Sequence, residues 1–410
     1  MPAHTPHNHA ALETLGFSDG ILLWGGRKVT EIADEIGRTP FYAYDRARMS
    51  QRVEELRSAM PEGISLHYAM KANPMPDVVR HFVGLVEGID VASAGELEIA
   101  LSAGADPAHV SFAGPGKRDE ELAAAIQAGI TINLESETEM RRAADVGASV
   151  GRRPNVALRV NPPFELKTAG MKMGGRPSQF GIDAERVPAA LQELDALDLE
   201  FRGFHVFSGS QNLRAEAIVE SLEKSTELVL ELSAACSTAP SFINVGGGLG
   251  IPYFPRERPI DLAAIAPAAD DAVRRLTQEI GAVEVIMELG RYLVGEAGIY
   301  VCEVIDIKES RGEKFAVCDG GLHHHLAASG NFGQVIRKNY PVVAVESSDE
   351  NEVVSVVGPL CTPLDLLADR MTLSHLEVGS LVAVLQSGAY GATASPSRFL
   401  NHPEYAEVLI

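Results

Sequence analysis

One lysine, one histidine, one cysteine, a glycine run and a strand end bearing a carboxylate and an arginine carry the chemistry this chain could do. Lys71 stands in Leu66-His67-Tyr68-Ala69-Met70-Lys71-Ala72-Asn73, an apolar, strand-like run turned by Asn73-Pro74. A lysine on such a rigid strand end can be partly desolvated, which lowers its pKa and suits it to Schiff-base chemistry. Taken alone, a solvated lysine at a strand end is the plainer account. Phe204-His205-Val206-Phe207-Ser208-Gly209 ends another strand. His205 could stack on a flat ring, and Ser208 or the neighbouring N–H groups could hold phosphate oxygens. Gly246-Gly247-Gly248-Leu249-Gly250 follows the run Ile243-Asn244-Val245. Its glycines would let backbone N–H groups close on a phosphate, although a tight turn explains them equally well. It is neither a Walker loop nor a dinucleotide fingerprint. In Met287-Glu288-Leu289-Gly290-Arg291 the carboxylate could pair with a protonated heterocycle nitrogen and the arginine with a phosphate; a plain Glu–Arg ion pair is the alternative. Cys361, in the loop Gly358-Pro359-Leu360-Cys361-Thr362-Pro363-Leu364-Asp365, is a candidate proton donor. Tyr390 offers a phenol between Gly388 and Gly391, or belongs to an ordinary hairpin.

These residues need a scaffold. From Pro40 to about Gly290, short β-branched runs alternate with amphipathic stretches. Strands are expected at 41–44, 65–69, 89–92, 110–113, 130–133, 156–160, 201–206, 242–245 and 283–288, with helices at 46–60, 77–83, 95–103, 119–128 and 137–146. Roughly eight β/α units in about 250 residues fit a (β/α)₈ TIM-type barrel. After Gly290 the runs 300–307, 315–318, 353–357 and 381–385 lack following helices, which predicts a C-terminal all-β domain. Ile21-Leu22-Leu23-Trp24 is expected to join it. The expected division is a tail with strands at 1–39, the barrel at 40–290 and the β domain at 291–410.

Composition excludes several classes. With 35 basic and 56 acidic residues the net charge is −21, so no nucleic-acid surface is expected. Cys236, Cys302, Cys318 and Cys361 form no CxxC pair, which reads as reduced thiols in a cytoplasmic protein. The first three sit in apolar surroundings and read as packing thiols. MPAHTPHNHA lacks the pattern of a secretory signal and reads as a disordered tail. No apolar run reaches about 18 residues, so no membrane span is expected. His323-His324-His325 makes a poor metal site, because successive strand side chains point to opposite faces. No metal is expected; the run is assigned to loop or interface structure.

In order, HYAMKAN, DVASAGEL, ALRVNP, QFGID, FHVFSGSQ, NVGGGLG, ELGRYLV, CDGG, GPLCTPLD and SGAYGA resemble the fold-type III pyridoxal-phosphate decarboxylases, the group of ornithine, arginine and diaminopimelate decarboxylases. The resemblance spans Phe41 to Phe399. It implies a barrel with a C-terminal β domain, pyridoxal 5'-phosphate as cofactor, and a head-to-tail homodimer with sites at the interface. It further implies that Lys71 carries the cofactor, Glu288 keeps its pyridine nitrogen protonated and His205 stacks on its ring. Ser208, Gly247, Gly248, Arg291 and Tyr390 would hold the phosphate. Asp90 and Arg159 would line the site, and Cys361 would enter from the partner subunit as proton donor.

The departures bear on substrate. Diaminopimelate decarboxylases usually carry a glutamate after this cysteine and ornithine decarboxylases an aspartate; here it is Thr362. The distal amine of a diamino acid has lost its anion, unless Asp319 supplies one. CDGGLHHHLAASGNFG with GPLCTPLD resembles a biosynthetic-cluster branch whose members decarboxylate amino acids tethered to an acyl carrier protein. The expectation is an α-decarboxylase of a carrier-bound acidic amino acid in natural-product (antibiotic) biosynthesis. The alternatives are decarboxylation of free diaminopimelate, ornithine or lysine, a racemase, and a non-catalytic cofactor-binding regulator. For carrier docking, Arg337-Lys338 and the segment from Arg311 to Lys314 are the basic candidates.

Overall fold

A computed structural model describes residues 9–166, 171–172, 174–334 and 336–410. The first eight residues, which hold most of the expected tail, lie outside the described residues. Contacts divide the chain into two units, residues 52–250 with 260–290 and residues 1–51 with 251–259 and 291–410.

The first unit is a closed parallel barrel of eight strands: β1 (Ile64–Ala69), β2 (Gly88–Val91), β3 (Val110–Phe112), β4 (Thr131–Leu134), β5 (Asn155–Asn161), β6 (Glu200–Val206), β7 (Phe242–Gly247) and β8 (Glu284–Leu289). Each pairs with the next, and β8 pairs back onto β1. The strands are near-continuous buried runs, as expected where helices cover a parallel sheet. The expected helices after the first four strands are present, and Val187–Asp195, Ala215–Ser233 and Ala266–Ile280 extend the alternation. Local chemistry fixes their ends. Ser93 Oγ accepts from Glu96 N at 3.2 Å and Ser136 Oγ from Glu139 N at 3.1 Å, caps that each stabilise by about 1 kcal/mol. Low in the barrel Ala157, Phe242 and Ile286 pack as a dry apolar cluster.

The other unit is built on the long strand Gly298–Ser310. It pairs antiparallel with Glu313–Cys318, Leu381–Val384 and Phe41–Tyr44. Asn351–Val357 and Leu366–Ser374 extend one side of the sheet and Val342–Ala344 the other. Ile21–Trp24 reaches the sheet through Leu22 N, which donates to Val345 O at 2.8 Å. Leu22 and Trp24 pack with Phe41, Ile299, Val301 and Leu385, each buried side chain contributing about 1.5–3 kcal/mol. Phe41–Tyr44, expected at the start of the barrel span, thus belongs to this sheet, and residues 40–51 and 251–259 cluster with it. All four residues of the strand are buried. A run without alternation carries no sign of which sheet it enters.

Candidate active site

A barrel interior is ordinarily filled by branched apolar side chains. Here every strand contributes at least one buried polar residue, among them His67, Asp90, Ser111, Asn133, Arg159, His205, Asn244 and Glu288. Register places them side by side, with Arg159 opposite His205 and His205 opposite Asn244. Burying such groups costs about 1–3 kcal/mol each unless they are bonded. Much of the belt bonds to itself. His67 Nδ1 lies 3.2 Å from Asp90 Oδ1, Ser111 Oγ donates to the same oxygen at 2.5 Å, and Asn133 Nδ2 donates to Ser111 Oγ at 3.0 Å. Burial works against charge on His67, yet the Asp90 carboxylate outweighs it and raises the imidazole above its ordinary pKa.

Lys71 sits in the turn Met70–Ala72 that ends β1. Its Nζ is 3.3 Å from Glu288 Oε1, with the lysine side chain 47% exposed and the carboxylate 5%. The expected desolvation of Lys71 is therefore not what the fold provides; a buried carboxylate partners the amine instead. His205 Nε2 is 3.2 Å from Glu288 Oε2 and Asn244 Nδ2 donates to that oxygen at 3.5 Å. Burial pushes the Glu288 carboxyl up, but the Lys71 ammonium and His205 outweigh it and hold it well below the ordinary range.

Gly246-Gly247-Gly248 closes β7. Gly246 and Gly248 have φ of +72° and +77°, a region L side chains rarely adopt. A Cβ on Gly247 would overlap the Glu288 carbonyl oxygen and one on Gly248 the Gly209 carbonyl oxygen. The loop is thus a close approach of backbones, beyond what a plain turn needs. Ser208 is buried and shares a 2.5 Å hydrogen bond with Ser221 Oγ.

The remaining expected residues lie in the second unit. Arg291, three residues after Glu288, donates from Nη1 to Tyr253 OH at 2.9 Å, and its guanidinium carbon stands 4.7 Å from the Tyr390 ring centroid. Burial lowers its pKa, but the flanking tyrosines outweigh that and leave it raised. Cys361 is exposed. Its loop is tied by Asp365, whose carboxylate accepts from Leu322 N at 2.6 Å and Leu360 N at 2.8 Å. Thr362 Oγ1 accepts from Leu364 N at 3.3 Å.

The fold also places three further groups. Asp319 accepts from Thr39 Oγ1 at 2.5 Å and from Glu303 N at 2.9 Å, so both its oxygens are engaged by the fold's own donors. Arg337 donates to Ser329 O, Asn339 Oδ1 and Leu366 O, and Lys314 pairs with Glu352 at 2.6 Å; neither is a loose surface cation. His323, His324 and His325 occupy a turn, in keeping with the expected loop placement, and are fully buried. Burial pushes them down to about 3, 4 and 3 respectively. Among the described residues no cluster of three His, Cys, Asp or Glu is arranged to hold a metal.

Pyridoxal phosphate fits the barrel residues. They offer a primary amine, a buried carboxylate held ionised beside it, and a glycine loop able to approach a phosphate. Asp90 Oδ2 and His205 Nδ1 are buried without a hydrogen-bond partner, as expected of groups facing a ligand. Of the sequence reading, Lys71, His205 and Glu288 come together, with Asp90 and Arg159 in the same belt. It missed His67, Ser111, Asn133 and Asn244, whose signal is a polar residue inside an apolar strand.

Comparison with known proteins agrees with this fit. Residues 46–295 match the family model described as pyridoxal-dependent decarboxylase, pyridoxal binding domain. The chain is 37% identical to the L-glutamyl-[BtrI acyl-carrier protein] decarboxylase of Niallia circulans, over 90% of this chain and 88% of that one. It is 32% identical to the diaminopimelate decarboxylase of Aquifex aeolicus, over 97% and 92%. It superimposes on the diaminopimelate decarboxylase of M. jannaschii crystallised with L-lysine with a TM-score of 0.88 at 26% identity, covering 98% of this chain and 93% of that one. Among the described residues no helix is long and apolar enough to cross a membrane. The chain is a (β/α)₈ barrel with a β-sheet domain and belongs to the pyridoxal-dependent decarboxylases, with pyridoxal 5'-phosphate as its cofactor.

Proposed function

We propose that the enzyme removes the α-carboxylate of an acidic amino acid presented on an acyl carrier protein through its side-chain carboxyl. One observation carries this. The CDGG and GPLCTPLD segments hold two carboxylates, Asp319 and Asp365, and both are engaged by the fold's own donors. The residue after Cys361 is the neutral Thr362. A distal ammonium would meet no spare anion on these segments, and burying it unpaired is costly. An uncharged side-chain thioester avoids that cost. The relative from Niallia circulans, whose name specifies a glutamyl carrier-protein substrate, supports the same reading. Decarboxylation of a free diamino acid is the alternative, supported by the diaminopimelate relatives.

Residue roles follow from the chemistry. When bound, pyridoxal phosphate supplies the electron sink for the bond electrons left at Cα as CO₂ departs. Lys71 would carry the cofactor, and Glu288 would favour a proton on its ring nitrogen, because a carboxylate beside it favours the charged form. His205 would stack against the ring, and Asp90 and Arg159 would line the site. Ser208, Gly247, Gly248, Arg291 and Tyr390 bind the phosphate. Cys361 Sγ delivers the proton to Cα. The working form is a homodimer in which Cys361 serves the partner's barrel. Phe332, Ile336 and Leu364, exposed beside that loop at 45%, 77% and 57%, suit a covered surface. A cytoplasmic setting suits four unpaired thiols.

The test is direct competition. Holoenzyme is given equal concentrations of glutamyl- and aspartyl-carrier proteins, free glutamate, ornithine, lysine and diaminopimelate, and CO₂ loss is followed by mass spectrometry. The reading expects a higher kcat/KM for a carrier-bound acidic amino acid; preference for a free diamino acid would overturn it.

A further inference from the structure

Arg159 is clamped by Glu135 and Phe180. Its Nη1 donates to Glu135 Oε1 at 2.7 Å, with the two side chains 10% and 2% exposed, and its guanidinium carbon stands 4.9 Å from the Phe180 ring centroid. Glu135 is itself immobilised. Oε1 also accepts from Gly114 N at 2.7 Å and Oε2 from Gly181 N at 2.8 Å, so three separate segments fix one carboxylate. Burial pushes Glu135 up, but Arg159 and Lys117 outweigh it and keep it ionised. On the other side, Arg159 lies in register with His205, which is 3.2 Å from Glu288. The guanidinium therefore has two buried carboxylates within electrostatic reach, Glu135 and Glu288. A guanidinium fork pairs with carboxylates strongly and bidentately. Whichever carboxylate holds it is less available to anything else.

We infer that Glu135 is a positioning residue: it anchors the Arg159 guanidinium beside His205 and keeps it off Glu288, leaving that carboxylate to the cofactor's ring nitrogen. Arg159 then contributes a fixed positive charge to the belt without occupying the acceptor the cofactor needs. This rests on the reading of Glu288 given above.

A double-mutant cycle tests it. Apo protein is prepared as wild type, Glu135→Gln, Arg159→Met and the double variant. Each is titrated with pyridoxal phosphate by absorbance, and the pH dependence of the bound cofactor's spectrum and the Tm are recorded. Glu135→Gln should weaken cofactor binding at least tenfold and move the spectral pH midpoint. In the Arg159→Met background, where no guanidinium is left to stray, the same change should weaken binding less than threefold. Equal weakening in both backgrounds would overturn the inference, since a purely structural role through Gly114 and Gly181 acts whether or not Arg159 is present. If Glu135→Gln does not fold, Arg159→Lys replaces it: an ammonium lacks the fork, so weaker cofactor binding at unchanged Tm supports the inference, and wild-type binding overturns it. Glu288→Gln separates the two readings. Unchanged cofactor affinity and spectrum there would sink the role of Glu288 and this inference with it. A clear Glu288→Gln defect alongside a background-independent Glu135 effect sinks the inference alone.

Discussion

Replacing Gly248 by alanine should damage the chain in a way that replacing Gly151 does not. Both residues are left-handed, with φ of +77° and +69°, and an alanine at either pays about 1–2 kcal/mol for that conformation. Their surroundings differ. Nothing lies within 4 Å of a Cβ at Gly151, whereas one at Gly248 would overlap the Gly209 carbonyl oxygen and lie 3.1 Å from Asn212 Nδ2. A backbone carbonyl cannot rotate aside, so the loop must move, adding about 1–3 kcal/mol of overpacking. The sums are about 1–2 kcal/mol for Gly151→Ala and about 2–5 kcal/mol for Gly248→Ala. At about 2–4 °C per kcal/mol for a body of this size, the Tm losses are about 2–8 °C and about 4–20 °C. The moved loop is also the proposed phosphate cradle, so Gly248→Ala should weaken pyridoxal phosphate binding at least tenfold, about 1.4 kcal/mol, while Gly151→Ala leaves it unchanged. Chemical denaturation of the apo protein and a cofactor titration measure the two effects. Equal stability losses with equal cofactor affinity would refute the close-approach argument.

Borohydride treatment of the holoenzyme should fix the cofactor on Lys71, found by peptide mass spectrometry, and Lys71→Ala should lose roughly a thousandfold in kcat; labelling of another lysine contradicts the assignment. Mixing inactive Lys71→Ala and Cys361→Ala chains should restore activity, because one hybrid site keeps both groups; no recovery after confirmed subunit exchange rules out a shared site. Thr362→Glu should raise kcat/KM for a free diamino acid by about tenfold or more, since a charged hydrogen bond contributes about 1.5–3 kcal/mol; steady-state rates with lysine and ornithine decide it. The buried histidines give a pH signature. Burial holds His323, His324 and His325 neutral down to about 3–4, whereas the unfolded chain protonates them near 6.5. Their folded pKa values are depressed, so the unfolded state binds more protons below 6.5 and stability falls as pH drops from 6.5 toward 4. Urea midpoints at pH 7.5 and 5.0 should show that slope, and His325→Gln should flatten it.

The barrel was legible because its strands and the helices between them repeat one pattern, and 119–128 is a helix in both sequence and structure. Phe41–Tyr44 was not, because pairing partners more than 250 residues away leave no trace in four uniformly buried residues. The site divides the same way. Lys71, His205 and Glu288 stand at strand ends beside turn signals and can be seen in the chain. Ser111, Asn133 and Asn244 sit within apolar runs and gain meaning only when closure sets them in one layer. The surroundings of the basic docking candidates were hidden for a related reason: a cluster of cations in sequence does not reveal that Arg337 faces Ser329, Asn339 and Leu366.

The strand Phe41–Tyr44 also sets an order of events during synthesis. One of its edges is completed by Gly298–Ser310 and the other by Ala406–Leu409, with Ile410 N donating to Tyr44 O at 2.8 Å. The ribosome makes this strand early, its neighbour Gly298–Ser310 after the barrel, and Ala406–Leu409 about 100 residues later still. All eight barrel strands have been translated by Leu289, yet about 120 further residues must follow before the second edge is covered, roughly 6–24 s at ordinary translation rates. Through most of that interval one edge of a short, buried strand has no partner in its own chain. Nascent copies on neighbouring ribosomes present the same bare edge, so slow translation of residues 290–410, or termination within them, exposes this protein to co-aggregation long after its catalytic barrel could have closed.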